Sequence, residues 1–178
     1  MAGSARSCRS QGAENGYGLR EGPGYAYGSG VEFIVVGGVA GTLHGSAFIT
    51  QDLAVVYARN RENIRRLAAA LQPHQPYLRG APEGLPFQWD ERTIRNGLNF
   101  TLTTAFGDLD LLGEATGGGT YHDLLPHSRE VSGFGVRFRL VNLDKLIVLK
   151  RAAGRPKDLA VVAELQGILE RRKPPGAP

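Results

Sequence analysis

The chain has 178 residues, a length that suits one domain with its own hydrophobic core and leaves little room for two. Its 21 lysines and arginines against 17 acids give a net charge of +4, but residues 145–178 alone carry eight cations and three acids. The remaining residues therefore sum to −1, which excludes a protein that coats nucleic acid through general basic charge. A hydrophobic content of 42% excludes wholesale disorder.

Cysteine content and hydropathy limit the compartment. Cys8 is the single cysteine, so neither an intramolecular disulfide nor a cysteine-based zinc site can form. The sequence has no apolar run that approaches the length of a membrane span and no apolar segment typical of a secretory signal. These features predict a cytoplasmic protein that has no membrane partner.

Residues 1–30 differ in composition from the rest of the chain. They contain eight of the 25 glycines, and Leu19 is their only large aliphatic residue after Met1. Such a segment buries too little apolar surface to offset the entropy of ordering it, so we predict that it is flexible. We also predict a disordered tail over residues 173–178, which leaves residues 31–172 as the folded domain.

The first half of this domain alternates between strands and helices. Residues 31–38 form a β-branched and aromatic run closed by two glycines, which predicts a buried strand and a tight turn. Residues 39–45 predict a short helix, and residues 49–58 a second strand. Asn60 is suited to cap a helix whose apolar face follows a helical period over residues 62–71.

Residues 72–87 contain four prolines and two glycines, which predicts a loop. A short helix is predicted over residues 90–97 and a hairpin over residues 98–104 and 109–113. The last predicted elements are a helical turn (121–125), a strand (136–141) and two helices (143–153 and 157–172). The predicted fold is therefore α/β (α+β), a small mixed β-sheet flanked by helices.

The order of these elements favours a phosphate site. A glycine pair at a strand end, Gly37 and Gly38, lets a phosphate approach the backbone at the start of a helix. Carboxylates on neighbouring strands, Asp52 with Asp108 and Asp110, are suited to hold Mg²⁺ beside that phosphate. The same spacing also occurs in α/β domains without a phosphate site, so the residues alone leave both interpretations open.

Three segments together carry a family pattern. They are FIVVGGVAGTLHGSAFITQDLAVVYARNRENIRRLAAAL, GDLDLLGE and KRAAGRPKDL. In this order they resemble the polymerase-beta-like nucleotidyltransferase superfamily, in particular its small bacterial minimal nucleotidyltransferases, a group that includes toxin-type members. The resemblance covers about residues 31–172, and the combined order of the motifs is more specific than any one of them.

The resemblance implies a role for each matching residue. Asp52 matches the first metal-binding carboxylate, and Asp110 matches the third, which also activates the acceptor hydroxyl. Mg²⁺ would be the cofactor and an NTP the substrate. The residues that would bind the nucleotide are Gly37, Gly38, Ser46, Thr50, Lys150 and Lys157.

Ala54 departs from the pattern, because the family has a second metal-binding carboxylate at this position. Residues 52 and 54 of a strand point to one face, and a methyl group cannot coordinate a cation. Three interpretations stay open: an inactivated site, natural or made; a degenerate member used for binding; and a shifted metal site in which Asp108 takes part as a catalytic residue.

The expected function is transfer of a nucleoside monophosphate from Mg-NTP to a hydroxyl of tRNA, a protein or a small molecule, impaired by Ala54. The alternative is a non-catalytic domain that binds NTP or a partner such as a cognate antitoxin. Among the histidines, His44 is expected to make structural hydrogen bonds, and His122 and His127 to lie at the surface.

Overall fold

The computed structural model describes residues 30–50, 52–82, 84–133 and 136–172. Its centre is a sheet with strand order β3-β4-β5-β2-β1-β9-β8. The pairs β2–β5 and β1–β9 are parallel, and the other neighbours are antiparallel. The strands are β1 (Phe33–Val36), β2 (Asp52–Tyr57), β3 (Tyr77–Leu78), β4 (Asn99–Thr104), β5 (Gly107–Leu112), β8 (Ser128–Gly133) and β9 (Val136–Val141).

Six α-helices lie in the described ranges, together with a two-stranded sheet of β6 (Glu114–Ala115) and β7 (Gly119–Thr120). Asn60 caps α2 as predicted, because its side-chain oxygen accepts from the Asn63 amide at 2.8 Å. The helices are α1 (Gly37–Leu43), α2 (Arg61–Leu71), α3 (Glu91–Asn96), α4 (Tyr121–Leu124), α5 (Leu143–Ala153) and α6 (Pro156–Arg172). The predicted class, a mixed sheet flanked by helices, is confirmed.

The hydrophobic core is built around β1, all four of whose residues are buried. This explains why the strand reads as a continuous apolar run rather than an alternating one. Leu146 of α5 and Leu165 of α6 are fully buried in the same core. The core therefore fixes the end of β1, where α1 begins, against the two C-terminal helices.

Two segments differ from their prediction. The loop predicted for residues 72–87 contains a 3-10 turn (Gln72–His74) and β3, which pairs with β4. Residues 128–133, for which no strand is predicted, form β8 through pairing with β9. The partner of β3 is remote in sequence, so local composition does not report this strand. The partner of β8 is the strand that follows it directly in the chain, and β8 itself has few of the β-branched and aromatic residues that mark a strand.

Several boundaries also move. The second strand begins at Asp52 rather than at residue 49, and α1 starts directly at Gly37. The predicted flexible segment, apart from Gly30, and the predicted tail lie outside the described residues. None of the helices in the described ranges is long and apolar enough to cross a membrane.

Candidate functional site

A cavity of about 440 Å³ opens where β1 passes into α1, between the sheet and the two C-terminal helices. It brings together residues that the sequence distributes over more than a hundred positions. The predicted site residues that line it are Gly37, Gly38, Ser46, Thr50, Asp52, Asp110, Lys150 and Lys157. Asp108 does not line the cavity.

The strand wall of the cavity, formed by β2 and β5, carries the carboxylates. In the parallel β2–β5 pair Asp52 is opposite Asp108, and Ala54 is opposite Asp110. All four positions lie on one face of the sheet, because side chains two residues apart on a strand point the same way. Asp52, Ala54 and Asp110 therefore border the cavity together, and Ala54 contributes a methyl group at the position where the resemblance implies a second metal-binding carboxylate.

The two carboxylates of the strand wall differ in their electrostatics. Burial alone would raise the pKa of Asp52, but hydrogen bonds from the Thr50 hydroxyl and its own amide, with the charge of Lys157, lower the pKa below its ordinary value. Burial is the main cause of a raised pKa at Asp110. The charge of Asp52 adds to this rise, whereas the guanidinium of Arg79 opposes it. Asp110 is thus the stronger proton acceptor of the two.

The two glycines are required by close packing. Gly37 has φ +70°, and a Cβ there would lie 2.9 Å from the Cβ of Ala54. A Cβ on Gly38 would lie 2.4 Å from Cγ2 of Thr50. Side chains at 37 and 38 would therefore collide with β2 and the preceding loop. With glycine the bare backbone itself forms part of the cavity wall.

The helix wall, formed by α5, α6 and the short connection between them, holds three cations and a buried acid. The Lys150 ammonium lies 2.7 Å from Oδ1 of Asp158, and Nε of Arg155 lies 2.5 Å from Oδ2. The Asp158 side chain is only 1% exposed, so its charge is fully committed to these two partners. Burial alone would raise the pKa of Asp158, but the hydrogen bonds from Arg155 and Lys150 outweigh it and lower the pKa below its ordinary value.

Lys150 and Lys157, which the resemblance treats alike, therefore differ. Lys150 borders the cavity but is already paired with Asp158. Lys157 is exposed, and no described residue accepts a hydrogen bond from its side chain or forms an ion pair with it. Lys157 is thus the cation of the helix wall that is available to an incoming anion.

The loop before β2 is tied to α6 by Glu164. The Ser46 hydroxyl donates to Glu164 Oε2 at 2.5 Å, and the Ala47 amide donates to Oε1 at 2.8 Å. Ser46 thus holds the loop in place rather than presenting a free hydroxyl. Beyond this anchor, Phe48 and Ile49 are 50% and 77% exposed at the mouth of the cavity.

Arg79 is the main site residue that the sequence reasoning missed. It follows β3, and its Nη2 lies 2.8 Å from Oδ1 of Asp110 while its Nε lies 3.2 Å from Oδ2 of Asp108. Thr103 also donates to Asp108, at 3.0 Å. Nothing in the proline-rich segment around Arg79 signals this contact, because it depends on the pairing of β3 with β4.

The histidines are placed as expected. His44 is buried, and its Nε2 donates to the Val141 carbonyl at 2.7 Å. His122 and His127 are exposed. Within the described ranges no group of three or more His, Cys, Asp or Glu side chains could hold a metal ion. Asp52 and Asp110 are the carboxylates that β2 and β5 present to the cavity, and two carboxylates are a weak ligand set for one cation and too few for two.

Neither a family model nor a curated protein matches this chain. The functional interpretation therefore rests on the residues and on the geometry of the cavity.

Proposed function

We propose that this domain binds an Mg-NTP in the cavity and transfers its nucleoside monophosphate to a hydroxyl acceptor, with turnover reduced by Ala54. One observation carries the proposal. Asp52 and Asp110, which lie on separate strands, border one cavity together with the bare backbone of Gly37 and Gly38. Polar groups that converge on a cleft from distant parts of a chain favour a binding site over a purely structural arrangement.

In the proposed reaction the acceptor oxygen attacks the α-phosphorus, its proton passes to Asp110, and the bond to pyrophosphate breaks. The raised pKa of Asp110 suits it to receive this proton. Asp52 and Asp110 would hold the cation, which when bound neutralises phosphate charge and acidifies the acceptor hydroxyl. Lys157 is suited to attract the outer phosphates, and the backbone at Gly37 and Gly38 lets them approach closely.

The charge of the C-terminal region indicates the class of acceptor but not the particular molecule. The cations of residues 145–178 favour an anionic or acidic partner, which includes tRNA and an acidic protein surface, while a small molecule fits the cavity by size. We place this activity in the cytoplasm, where NTPs are plentiful and a single cysteine stays reduced.

A second candidate function is binding without turnover, either of NTP or of a partner such as a cognate antitoxin. Ala54 favours it, because the cavity then lacks one of the carboxylates that nucleotidyl transfer uses. The pairing of Asp110 with Arg79 favours it as well, because one carboxylate oxygen of the proposed base is already engaged.

The two functions are separated by restoring the missing acid. The wild-type chain and the Ala54→Asp and Ala54→Asn variants are incubated with each α-labelled NTP, Mg²⁺ and total tRNA. We expect Ala54→Asp to transfer label at least about 100-fold faster than wild type. Ala54→Asn, which has the same shape without the charge, should not gain activity.

Each other outcome also has a meaning. Nucleotide binding without transfer by any form supports the binding module. Transfer by the wild type that disappears in Asp108→Ala supports a shifted metal site. If neither the wild type nor Ala54→Asp binds NTP, the nucleotide proposal is wrong.

A further inference from the structure

Arg79 is fixed against the carboxylates of β5. Its backbone amide donates to the Thr101 carbonyl at 2.9 Å, and its Nη2 donates to the Leu102 carbonyl at 3.2 Å. From this position the guanidinium spans both Asp108 and Asp110. The Arg79 side chain is 29% exposed and that of Asp110 is 21% exposed, so solvent screens the pair only in part.

This guanidinium competes with a divalent cation in two ways. It engages Oδ1 of Asp110, which leaves Oδ2 as the oxygen that forms no hydrogen bond or ion pair with a described residue. It also places a positive charge beside the point where a cation would bind, and like charges repel strongly where water is partly excluded. Ala54 adds no carboxylate that would offset this repulsion.

We infer that Arg79 is a counter-cation built into the site, which keeps the Asp52–Asp110 pair from binding a free divalent ion. The cation then enters the cavity only with a ligand whose own phosphate oxygens complete its coordination. This inference deepens the proposed function and rests on it for the identity of that ligand. Arg79 acts here through Asp110 and is a positioning residue, not a catalytic one.

The test measures cation binding without nucleotide. Mn²⁺ is titrated into the full chain, and free Mn²⁺ is followed by its electron paramagnetic resonance signal. We expect Arg79→Gln and Arg79→Met to bind Mn²⁺ about tenfold more tightly than wild type, since each removes the repelling charge. Arg79→Lys, which keeps the charge, should stay close to wild type. Arg65→Gln removes the same charge from an exposed position and serves as the matched control.

A gain in Mn²⁺ affinity is informative because, if Arg79 had only a structural role, its replacement would lower the affinity or leave it unchanged. The gain should vanish in Arg79→Gln combined with Asp110→Asn, which shows that it passes through that carboxylate. The inference is overturned if folded neutral variants bind Mn²⁺ no better than wild type, or if Arg79→Lys gains equally. It is also overturned if both neutral variants fail to fold, because Arg79 is then a folding residue.

Failure of this inference is distinguishable from failure of the proposed function. NTP binding is measured on the same proteins in the presence of Mg²⁺. Tighter Mn²⁺ binding with no NTP binding by any variant would leave the role of Arg79 intact and remove the nucleotide. NTP binding with no change in Mn²⁺ affinity would support the nucleotide as ligand and overturn the role of Arg79.

Discussion

The strand wall and the helix wall of the cavity use their charged groups differently, since the strand wall presents two carboxylates and the helix wall presents one carboxylate and three cations. On the helix wall Asp158 is held by Lys150 and Arg155, both of which come from the same wall. On the strand wall Asp110 is paired with Arg79, which comes from a segment outside that wall. The helix wall therefore neutralises its own buried acid, whereas Asp110 of the strand wall is neutralised by a neighbouring segment. A charged side chain at a cavity is more available to a ligand when its charge is not already neutralised by a neighbouring residue.

The largest expected effect tests the helix wall. Asp158→Asn leaves the buried ammonium of Lys150 without its counter-charge, so we expect the free energy of unfolding to fall by about 3–5 kcal/mol. Urea denaturation followed by circular dichroism measures this loss. Replacing the pair together, as Lys150→Met with Asp158→Leu, should recover most of it. A loss below about 1 kcal/mol in the single variant would show that the pair does not hold the wall.

A smaller effect is expected from the cation of the helix wall that has no partner among the described residues. Lys157→Gln should weaken NTP binding about tenfold, because a charge-assisted contact to phosphate is lost, while the unfolding midpoint stays close to wild type. Isothermal titration calorimetry compares it with Arg151→Gln, an equal charge change outside the cavity. Equal losses in the two variants would mean that only the general charge of this region matters.

The smallest expected effect is a pH dependence of stability that comes from His44. This residue lies near the end of α6, where Arg172 Nη1 lies 3.3 Å from His44 Nδ1. Burial, with a further contribution from the charge of Arg172, lowers the pKa of His44 below its ordinary value. The unfolded chain therefore binds more protons as the pH falls through about 6.5, and the free energy of unfolding decreases. Denaturation between pH 7.5 and 5 measures this decrease. His44→Gln should make this decrease smaller by the part that comes from His44. If the variant and the wild type show the same pH profile, the prediction is wrong.

The parts of the site that sequence could predict are those with local signals. The β-branched run closed by Gly37 and Gly38 follows from strand propensity and turn chemistry. The placement of Asp52 and Asp110 on two strands follows from strand periodicity. The strands form, although α1 begins directly at Gly37 and β2 only at Asp52, and these residues border one cavity.

The remaining contacts needed the tertiary fold. The sequence predicts the same nucleotide-binding role for Lys150 and Lys157. They differ because the left-handed turn at Gly154, with φ +66°, ends α5 and brings Asp158 of α6 to Lys150. Arg79 lies in a segment whose prolines predict a loop, and only the register of β3 with β4 brings it to Asp110.

That register has a consequence for motion. Arg79 adjoins a strand of two residues at the border of the sheet, whereas Asp110 lies on β5, between β4 and β2. Short border strands open at a free energy far below that of global unfolding. The Arg79 amide should therefore exchange with deuterium well before the amides of β5. The guanidinium can then leave Asp110 by local opening while the carboxylates keep their places, so the contact between Arg79 and Asp110 can break without global unfolding.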